Sequence, residues 1–294
     1  MASVLNQTLN GISSGAIYAA VALGLVLIWR ATRVVNFALG SMAMLSAFVA
    51  FSVIDAGGGY WLGFVVALLS GLVGGAVVER VIVRPVENKS PLNAVIVTFG
   101  LLILFEAIAG MIWGENARSL PAHFSIRGLR VGGSAIALSP FDIFVISSVV
   151  VVTILLAVLF RATNLGLRMR TAAFQPEVAR LLGVRVGRLL SLGWGLASLV
   201  GALAGVLVAP KLFLSPNMME APLVYGFTAA VIGGLDSPVG AVVGGVLLGL
   251  VTSYVGGWST LGPSLEVMGA LVLLVAVLMV RPEGLFSGIK PRRV

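Results

Sequence analysis

Long apolar segments follow one another from one end of this sequence to the other. Several approach or exceed the roughly 20 residues that a helix rising about 1.5 Å per residue needs to cross about 30 Å of hydrocarbon. Charged residues make up only 10% of the chain, and the mean hydropathy is +1.10. The pattern predicts an all-α polytopic membrane protein with a single transmembrane domain over residues 1–294.

Hydropathy and helix breakers divide the chain into predicted spans. Seven are clear, and they cover residues 12–29, 34–54, 60–83, 92–113, 141–160, 189–209 and 265–280. Region 223–255 is less regular, because Gly233-Gly234-Leu235-Asp236-Ser237-Pro238 interrupts it. It either re-enters the membrane as a discontinuous hairpin or crosses as two short helices, with Asp236 capping the second. We favour two crossings and expect about eight to nine transmembrane helices; seven stays open as the alternative.

Basic residues divide unequally between the two predicted faces of the membrane. With the N-terminus outside, fifteen fall on one face, at positions 30, 33, 80, 84, 89, 161, 168, 170, 180, 185, 188, 281, 290, 292 and 293. The other face has Arg118, Arg127, Arg130 and Lys211. Since short cytoplasmic loops carry an excess of Lys and Arg, the sequence predicts an outer N-terminus and a cytoplasmic C-terminus. The net charge of +8 then reflects orientation in the membrane, and we expect no nucleic-acid partner.

Pairs of glycines separated by three residues predict close helix packing. They are Gly71 and Gly75, Gly201 and Gly205, Gly240 and Gly244, and Gly245 and Gly249. Small residues at this spacing let two helix backbones approach and gain dispersion contacts that lipid does not match. The chain has no cysteine, which excludes disulfides and thiolate metal sites, and no His, Asp and Glu cluster shows metal-ligand spacing, so we expect no metal site.

The predicted cytoplasmic segment 161–188 is polar and rich in arginine, although long apolar runs flank it. Pro176 suits the first position of a short helix and Gly183 the left-handed residue that ends one, while Glu177 can pair with Arg180. The apolar residues of that helix would share one face: Val178, Leu181 and Leu182. So short a helix is unstable alone in water and must pack on something. Lipid headgroups and a soluble partner protein are the two open possibilities.

Four sequence motifs lie in order along nearly the whole chain. They are Arg33-Val34-Val35-Asn36-Phe37-Ala38-Leu39-Gly40 with Met44-Leu45; Thr163-Asn164-Leu165-Gly166-Leu167-Arg168-Met169-Arg170-Thr171-Ala172 followed by Gln175-Pro176-Glu177-Val178-Ala179-Arg180-Leu181-Leu182-Gly183-Val184; Gly233-Gly234-Leu235-Asp236-Ser237-Pro238-Val239-Gly240-Ala241 with Gly244-Gly245; and Arg281-Pro282-Glu283-Gly284-Leu285-Phe286. Together they resemble the permease subunits of branched-chain amino acid ABC importers of the LivH type, the hydrophobic amino acid uptake family. Such permeases often carry histidine where this chain has Leu39.

The resemblance implies a permease subunit that imports branched-chain or related amino acids across a bacterial or archaeal plasma (inner) membrane. It implies two cytoplasmic ABC ATPases, a homologous second permease that forms a heterodimer or a homodimer, and an extracytoplasmic solute-binding protein. The sequence has no G-x-x-x-x-G-K-[ST] loop, so we expect no enzyme activity and no cofactor in this chain, with ATP and Mg bound by the partners. The implied ATPase-coupling residues are Gln175, Pro176, Glu177, Val178, Arg180, Leu181, Leu182 and Gly183.

Residues along the substrate path are less sharply indicated. A site for an amino acid zwitterion could use exposed backbone groups at broken helix ends, small hydroxyls, and apolar surface for the side chain. The candidates are Asn36, Ser41, Thr98, Glu106, Gly233, Gly234 and Asp236. Glu106 lies about two turns inside the outer end of its predicted span, and a carboxylate at that depth is costly enough to suggest a function. Protonation or pairing with another subunit is its structural alternative.

Two other functions remain possible from the sequence. A permease of the same architecture could carry urea, an amide or a sugar, and a passive channel or proton-coupled carrier could use Glu106. A channel has no use for the short helix at 176–182, whereas an ATPase-driven machine does. His123, in the loop predicted at 114–140, is interpreted as a solvated residue, and no Ser/His/Asp arrangement indicates an intramembrane enzyme.

Overall fold

The computed structural model describes residues 2–87, 91–131, 134–257 and 263–286, which form an almost wholly helical bundle. The helices are α1 (Ala2–Thr32), α2 (Leu39–Asp55), α3 (Tyr60–Val78), α4 (Arg84–Glu87), α5 (Pro91–Trp113), α6 (Pro140–Ala162), α7 (Asn164–Phe174), α8 (Pro176–Leu181), α9 (Val186–Leu212), α10 (Glu220–Gly233), α11 (Pro238–Gly257) and α12 (Pro263–Val280). A π-helical turn at Glu79–Val83 joins α3 to α4. Strands β1 (Arg130–Val131) and β2 (Ser134–Ala135) pair in a small antiparallel hairpin. The basic residues Lys89, Lys290, Arg292 and Arg293 lie outside the described residues.

Seven of these helices are long and apolar enough to cross a membrane, namely α1, α2, α3, α5, α6, α9 and α11. Two further apolar helices, α10 and α12, are shorter. The predicted class, a polytopic helical membrane protein, is confirmed. We name the two ends of the bundle after the predicted orientation: the inner end carries Arg33, Arg84 and α8, and the outer end carries Arg118 and Lys211.

Helices α1 and α9 form the centre of the bundle, since 83% of the most apolar part of each is buried. Helices α11, α10 and α6 pack around α1, while α3 and α2 pack around α9. In α5 and in α6, only 17% of the most apolar part is buried. Both helices expose rows of large apolar side chains. Such surfaces suit hydrocarbon or another membrane subunit.

Close glycine packing holds the central helices together, as the sequence predicted. A Cβ built on Gly15 would lie 2.8 Å from the carbonyl oxygen of Gly245, and one on Gly11 would lie 2.8 Å from the Cα of Leu250. On α3, a Cβ on Gly71 would meet the backbone of Ser198 on α9 at 2.7 Å. Backbones this close leave no room for a side chain, so glycine is required where α1 meets α11 and where α3 meets α9.

α1 begins well before the predicted span, which started at residue 12. The extra turns contain apolar and polar residues, and neighbouring segments hydrogen-bond to several of the polar groups. The hydroxyls of Thr8 and Tyr254 are 2.7 Å apart, and Ser253 on α11 donates to the carbonyl oxygen of Gln7. Asn6 accepts from the backbone of the outer loop at Ala137. Tertiary contacts therefore support the helix ahead of the predicted span.

α2 begins at Leu39, and the predicted start at residue 34 is wrong. The backbone of Arg33 adopts a left-handed conformation with φ +59°, which ends α1. The side-chain oxygen of the buried Asn36 then accepts from the backbone N–H of Ala38 at 3.0 Å, so a polar side chain, rather than a helix turn, satisfies this amide. A Cβ on Gly24 of α1 would lie 2.8 Å from the side chain of Leu39. The non-helical connection therefore reaches into the bundle beside α1.

The interrupted region at 223–255 is two helices joined by a turn at the inner end. Gly234 has φ +98°, and Ser237, rather than Asp236, accepts from the backbone of Gly240 to begin α11. The C-terminal motif closes this turn, because the N–H groups of Leu285 and Phe286 donate to the last carbonyls of α10. Those carbonyls have no partner within their own helix, so the motif stabilises the end of α10.

Candidate functional site

A helical hairpin of α7 and α8 projects from the inner end of the bundle between α6 and α9. The hydroxyl of Thr163 accepts from the backbone of Gly166 and so caps the start of α7. α8 begins at Pro176, and the backbone of Gly183 has φ +78°, as the sequence predicted for the residue that ends this helix. The hairpin leads directly into α9, one of the two central helices.

Ala179 anchors α8 to the rest of the protein. Its side chain is fully buried in a small apolar cluster, separate from the main core, with Met169, Ala172, Val186 and Leu189. The N–H of Val184 also donates to the carbonyl oxygen of Ala179 at 2.9 Å. The anchor therefore joins α7, α8 and the first turns of α9.

α8 also exposes three large apolar side chains on its surface. Leu181 is 87% exposed, Leu182 is 72% exposed and Val178 is 44% exposed. Glu177 and Arg180 are also exposed, and the described part of the chain contains no ion pair between them, although their spacing permits one. We call this face, made of Glu177, Val178, Arg180, Leu181 and Leu182, the α8 surface. An apolar patch rimmed by charges is typical of a binding surface.

A buried polar network joins α9 to α3 close to this hairpin. Glu79 is fully buried, and Arg84 donates to both of its carboxylate oxygens, at 3.0 and 2.7 Å. The hydroxyl of Ser191 donates to the same carboxylate, and Arg84 also reaches the carbonyl oxygen of Gly187 on the first turn of α9. The carboxylate of Glu79 faces Ser191 on α9 from a π-helical turn. π-Helical turns are frequently found at functional sites.

The predicted substrate-path residues form two groups. Asn36, Ser41 and Thr98 are buried near the start of α2 and on the facing α5, and their side chains bond within their own segments. Gly233, Gly234 and Asp236 lie at the inner end instead, in the turn between α10 and α11. There Asp236 forms an exposed ion pair with Arg33 at 2.5 Å, which links this turn to the end of α1. Exposed pairs contribute about 0–1 kcal/mol, so this one adds little stability.

Three phenylalanines meet where α2 begins, and we call them the aromatic junction: Phe37, Phe99 and Phe227. The ring of Phe37 stacks on that of Phe99 with centroids 4.3 Å apart, and its centroid lies 6.2 Å from that of Phe227. Glu106 follows Phe99 by seven residues on α5, and Glu220 precedes Phe227 by seven on α10. Seven residues are about two helix turns, so each carboxylate lies on the outer side of its phenylalanine. Glu106 is half-buried, and its carboxylate is close enough to that of Glu220 for the two negative charges to repel each other.

The fold brings together several charged residues that no sequence motif indicated. Glu79 bonds to Ser191 across more than a hundred residues, and Lys211 bonds to Asp142 at 2.5 Å and to Ser13 at 2.9 Å. The available signal was a carboxylate inside a predicted span, which applied to Glu79 and Asp142 as well as to Glu106. His123 is exposed, as expected, and its ring stacks 5.6 Å from that of Tyr60.

Known proteins similar to this chain are transport permeases. The chain is 30% identical over 300 residues to the high-affinity branched-chain amino acid transport system permease protein LivH of Escherichia coli, covering 96% of the chain and 95% of the relative. It is 26% identical over 297 residues to the corresponding permease protein BraD of Pseudomonas aeruginosa, with 96% and 95% covered. It is 25% identical over 287 residues to the fructose import permease protein FruF of Bifidobacterium longum, with 89% and 73% covered.

Solved transporter structures share the fold. A chain of PsaBC from Streptococcus pneumoniae, solved in complex with Fab, aligns with a TM-score of 0.51 and 16% identity over 95% of this chain and 91% of that one. A metal-chelate type ABC transporter in an inward-facing conformation aligns with a TM-score of 0.50 and 19% identity, covering 94% and 87%. The sequence profile of the branched-chain amino acid transport system permease component matches residues 7–279. The chain therefore belongs to the family of branched-chain amino acid transport system permease components.

Proposed function

We propose that this chain imports branched-chain or related amino acids by alternating access, driven by two ATPases that dock on the α8 surface. As an ABC transporter permease it is the membrane component, and ATP hydrolysis takes place in partner subunits. The proposal includes a second permease subunit, a heterodimer or a homodimer partner, and a solute-binding protein on the outer side of the plasma (inner) membrane. The family membership and the relatives' names support the amino acid substrate.

The exposed α8 surface carries the proposal. Leu181 and Leu182 place a large apolar surface in water, which is unfavourable for a subunit that works alone. A six-residue helix also gains little stability from its own backbone hydrogen bonds. Its anchor through Ala179 connects it to α9, which runs through the centre of the bundle. A partner that moves α8 as a rigid body would thus move α9, and the bundle would switch between two packed arrangements.

The aromatic junction is the part of the structure that best suits a substrate path. The connection between α1 and α2 is non-helical, and its residues Val34, Asn36 and Ala38 are buried in the bundle. Non-helical backbone at this depth is tolerated only where protein buries it or where it lines a cavity. Glu106 and Glu220 lie outward of the three rings, so an ammonium group would be attracted there and an apolar side chain would meet aromatic surface. The proposed path includes Asn36, Ser41, Thr98 and Glu106, with Glu220 added from the structure.

A second candidate substrate class is sugars. The fructose import permease FruF and the xylose/arabinose import permease XylH of Sulfolobus acidocaldarius are also similar, at 25% and 28% identity. The alignment with XylH covers only 66% of this chain, compared with 96% for LivH. The two carboxylates on the outer side of the junction favour a substrate with an ammonium group over a neutral sugar.

We expect the transporter, reconstituted with its ATPases, second permease and binding protein, to take up radiolabelled L-leucine only when ATP is present. An excess of unlabelled isoleucine or valine should reduce this uptake at least tenfold, whereas fructose, xylose or urea should leave it unchanged. The measurement is initial uptake into proteoliposomes at fixed protein content. Uptake that only a sugar or urea reduces would contradict the amino acid assignment and leave the permease role intact.

A further inference from the structure

A cavity of about 290 Å³ lies in the outer half of the bundle, between α1, α9, α10 and α12. This volume is close to the lower end of the range for small-molecule sites, about 300–1,000 Å³. Ile17 and Val208 contribute apolar surface, and the rings of Tyr18 and Tyr225 face each other with centroids 4.9 Å apart. The cavity is distinct from the aromatic junction. On α10, Tyr225 lines the cavity, whereas Phe227 belongs to the junction.

One side of the cavity carries a positioned ammonium group. The Nζ of Lys211 donates to Oδ1 of Asp142 at 2.5 Å and to the hydroxyl of Ser13 at 2.9 Å. Ser139 donates its backbone N–H and its hydroxyl to the other oxygen of the same carboxylate. Lysine has three N–H donors, so one is left for a ligand. The Lys211 side chain keeps 31% of its surface exposed, which leaves it accessible from the cavity.

Another part of the cavity wall carries a carboxylate. Glu266 on α12 is half-buried, and it lines the cavity together with Tyr18 and Tyr225. Within the described part of the chain Glu266 forms no ion pair. A half-buried carboxylate without a cation attracts one from outside, particularly between aromatic rings.

We infer that this cavity binds a free α-amino acid as a zwitterion. The ligand carboxylate accepts from the third N–H of Lys211, the ligand ammonium donates to Glu266, and an apolar side chain packs on Ile17, Val208 and the tyrosine rings. This inference rests on the proposed function and adds a site within one subunit. Because α10 forms a wall of the cavity, a bound amino acid would contact the helix that also carries Phe227 of the aromatic junction.

A zwitterionic lipid headgroup shares this chemistry, since phosphatidylethanolamine also has an ammonium and an anionic group. We commit to the amino acid because the cavity volume is small and apolar residues of α1 and α9 line it together with the charged groups. To tell a free amino acid from a lipid headgroup as the ligand, the complete transporter is prepared in two kinds of nanodisc. One contains phosphatidylcholine alone, and the other also contains phosphatidylethanolamine.

Saturation-transfer NMR, which detects weak ligands, tests the site on this complete transporter without binding protein or ATP. We expect L-leucine to bind at least tenfold more tightly than 4-methylpentanoate, which lacks the ammonium, and than L-leucinamide, which lacks the carboxylate. Glu266→Gln should weaken leucine binding about tenfold and leave 4-methylpentanoate binding unchanged. Tyr225→Phe should have a smaller effect, since it keeps the ring. Glu115→Gln, an exposed outer acid, is the matched control and should bind like the unmodified protein.

Three results would overturn the inference: no leucine binding by the unmodified transporter, equal leucine affinity in Glu266→Gln, or loss of binding only when phosphatidylethanolamine is present. Lys211→Gln offers a second variant, but it leaves Asp142 without a cation, so Glu266→Gln is the primary test. ATP-dependent leucine uptake is measured on the same preparations. If uptake persists while Glu266→Gln leaves binding unchanged, this site is refuted and the proposed function stands; if uptake is absent in the unmodified transporter, the proposed function fails.

Discussion

Leu181→Asp is expected to abolish ATP-dependent uptake, to below about 5% of the unmodified level, while the chain still inserts and folds. Leu181 is 87% exposed and contacts no core, so the substitution costs little within this subunit. At a docking interface, however, the aspartate would be buried without a partner, which typically costs several kcal/mol, and each 1.4 kcal/mol weakens binding tenfold. The measurement is leucine uptake together with the amount of ATPase that co-purifies.

Ile126→Asp is the matched control for this prediction. Ile126 is also a largely exposed apolar residue, but it lies in the loop between α5 and α6 at the outer end. We expect normal ATPase co-purification for this variant. If Leu181→Asp retains both bound ATPase and normal uptake, the α8 surface does not couple the chain to an ATPase, and contact with lipid headgroups becomes its better interpretation.

Glu79→Leu is expected to lower the apparent melting temperature of the purified protein by roughly 5–10 °C. The substitution leaves Arg84, whose side chain is 35% exposed, without its anionic partner. Breaking a buried ion pair costs about 3–5 kcal/mol, and the partial exposure of Arg84 places this case at the lower end. One kcal/mol corresponds to about 2–4 °C for proteins of 150–250 residues.

The double variant Glu79→Leu with Arg84→Leu separates the loss of the pair from the loss of packing. Replacing both members of a buried pair by apolar residues is often neutral, so we expect it to recover at least half of the lost stability. Uptake should be low in both variants, since both remove the bond from Ser191 on α9 to the carboxylate of Glu79 at the end of α3. A single variant as stable as the unmodified protein would show that this network does not stabilise the bundle, and normal uptake by that variant would show that it does not position α9.

Local signals in the sequence were sufficient for much of the fold. Pro176 and Gly183 mark the two ends of α8 because their backbone preferences act on their own residue, without any distant contact. The glycine pairs likewise predicted close packing, although the sequence did not show that Gly245 faces α1. Periodic small residues reveal that a helix has a packing face but not which helix meets it.

The start of α2 could not be located from hydropathy. Val34 and Val35 are apolar and continue the hydrophobic pattern, so the predicted span absorbed them. What ends the helix is the left-handed backbone of Arg33 and the side chain of Asn36, which bonds locally instead of continuing the helix. Hydropathy measures transfer into lipid, and it does not report backbone conformation.

The sequence also could not predict which charged residues of distant segments form ion pairs. Arg33 and Asp236 are 203 residues apart, and Lys211 and Asp142 are 69 apart, so each pair depends on how the helices are arranged. Asp236 was predicted near a substrate path, and the structure places it at the inner end in contact with α1. The substrate-path roles of Asp236, Gly233 and Gly234 stay predictions, and the proposed path keeps Asn36, Ser41, Thr98 and Glu106.

Photo-crosslinking from position 182 tests the central claim most directly. The chain has no cysteine, so Leu182→Cys introduces a unique attachment point for a benzophenone maleimide on a side chain that is 72% exposed. In membranes that contain the whole transporter, we expect illumination to join the chain to its ATPase, whereas Ile126→Cys, at the outer end, gives no such product. Crosslinks from position 182 to lipid alone, or equal ATPase crosslinking from both positions, would contradict the account.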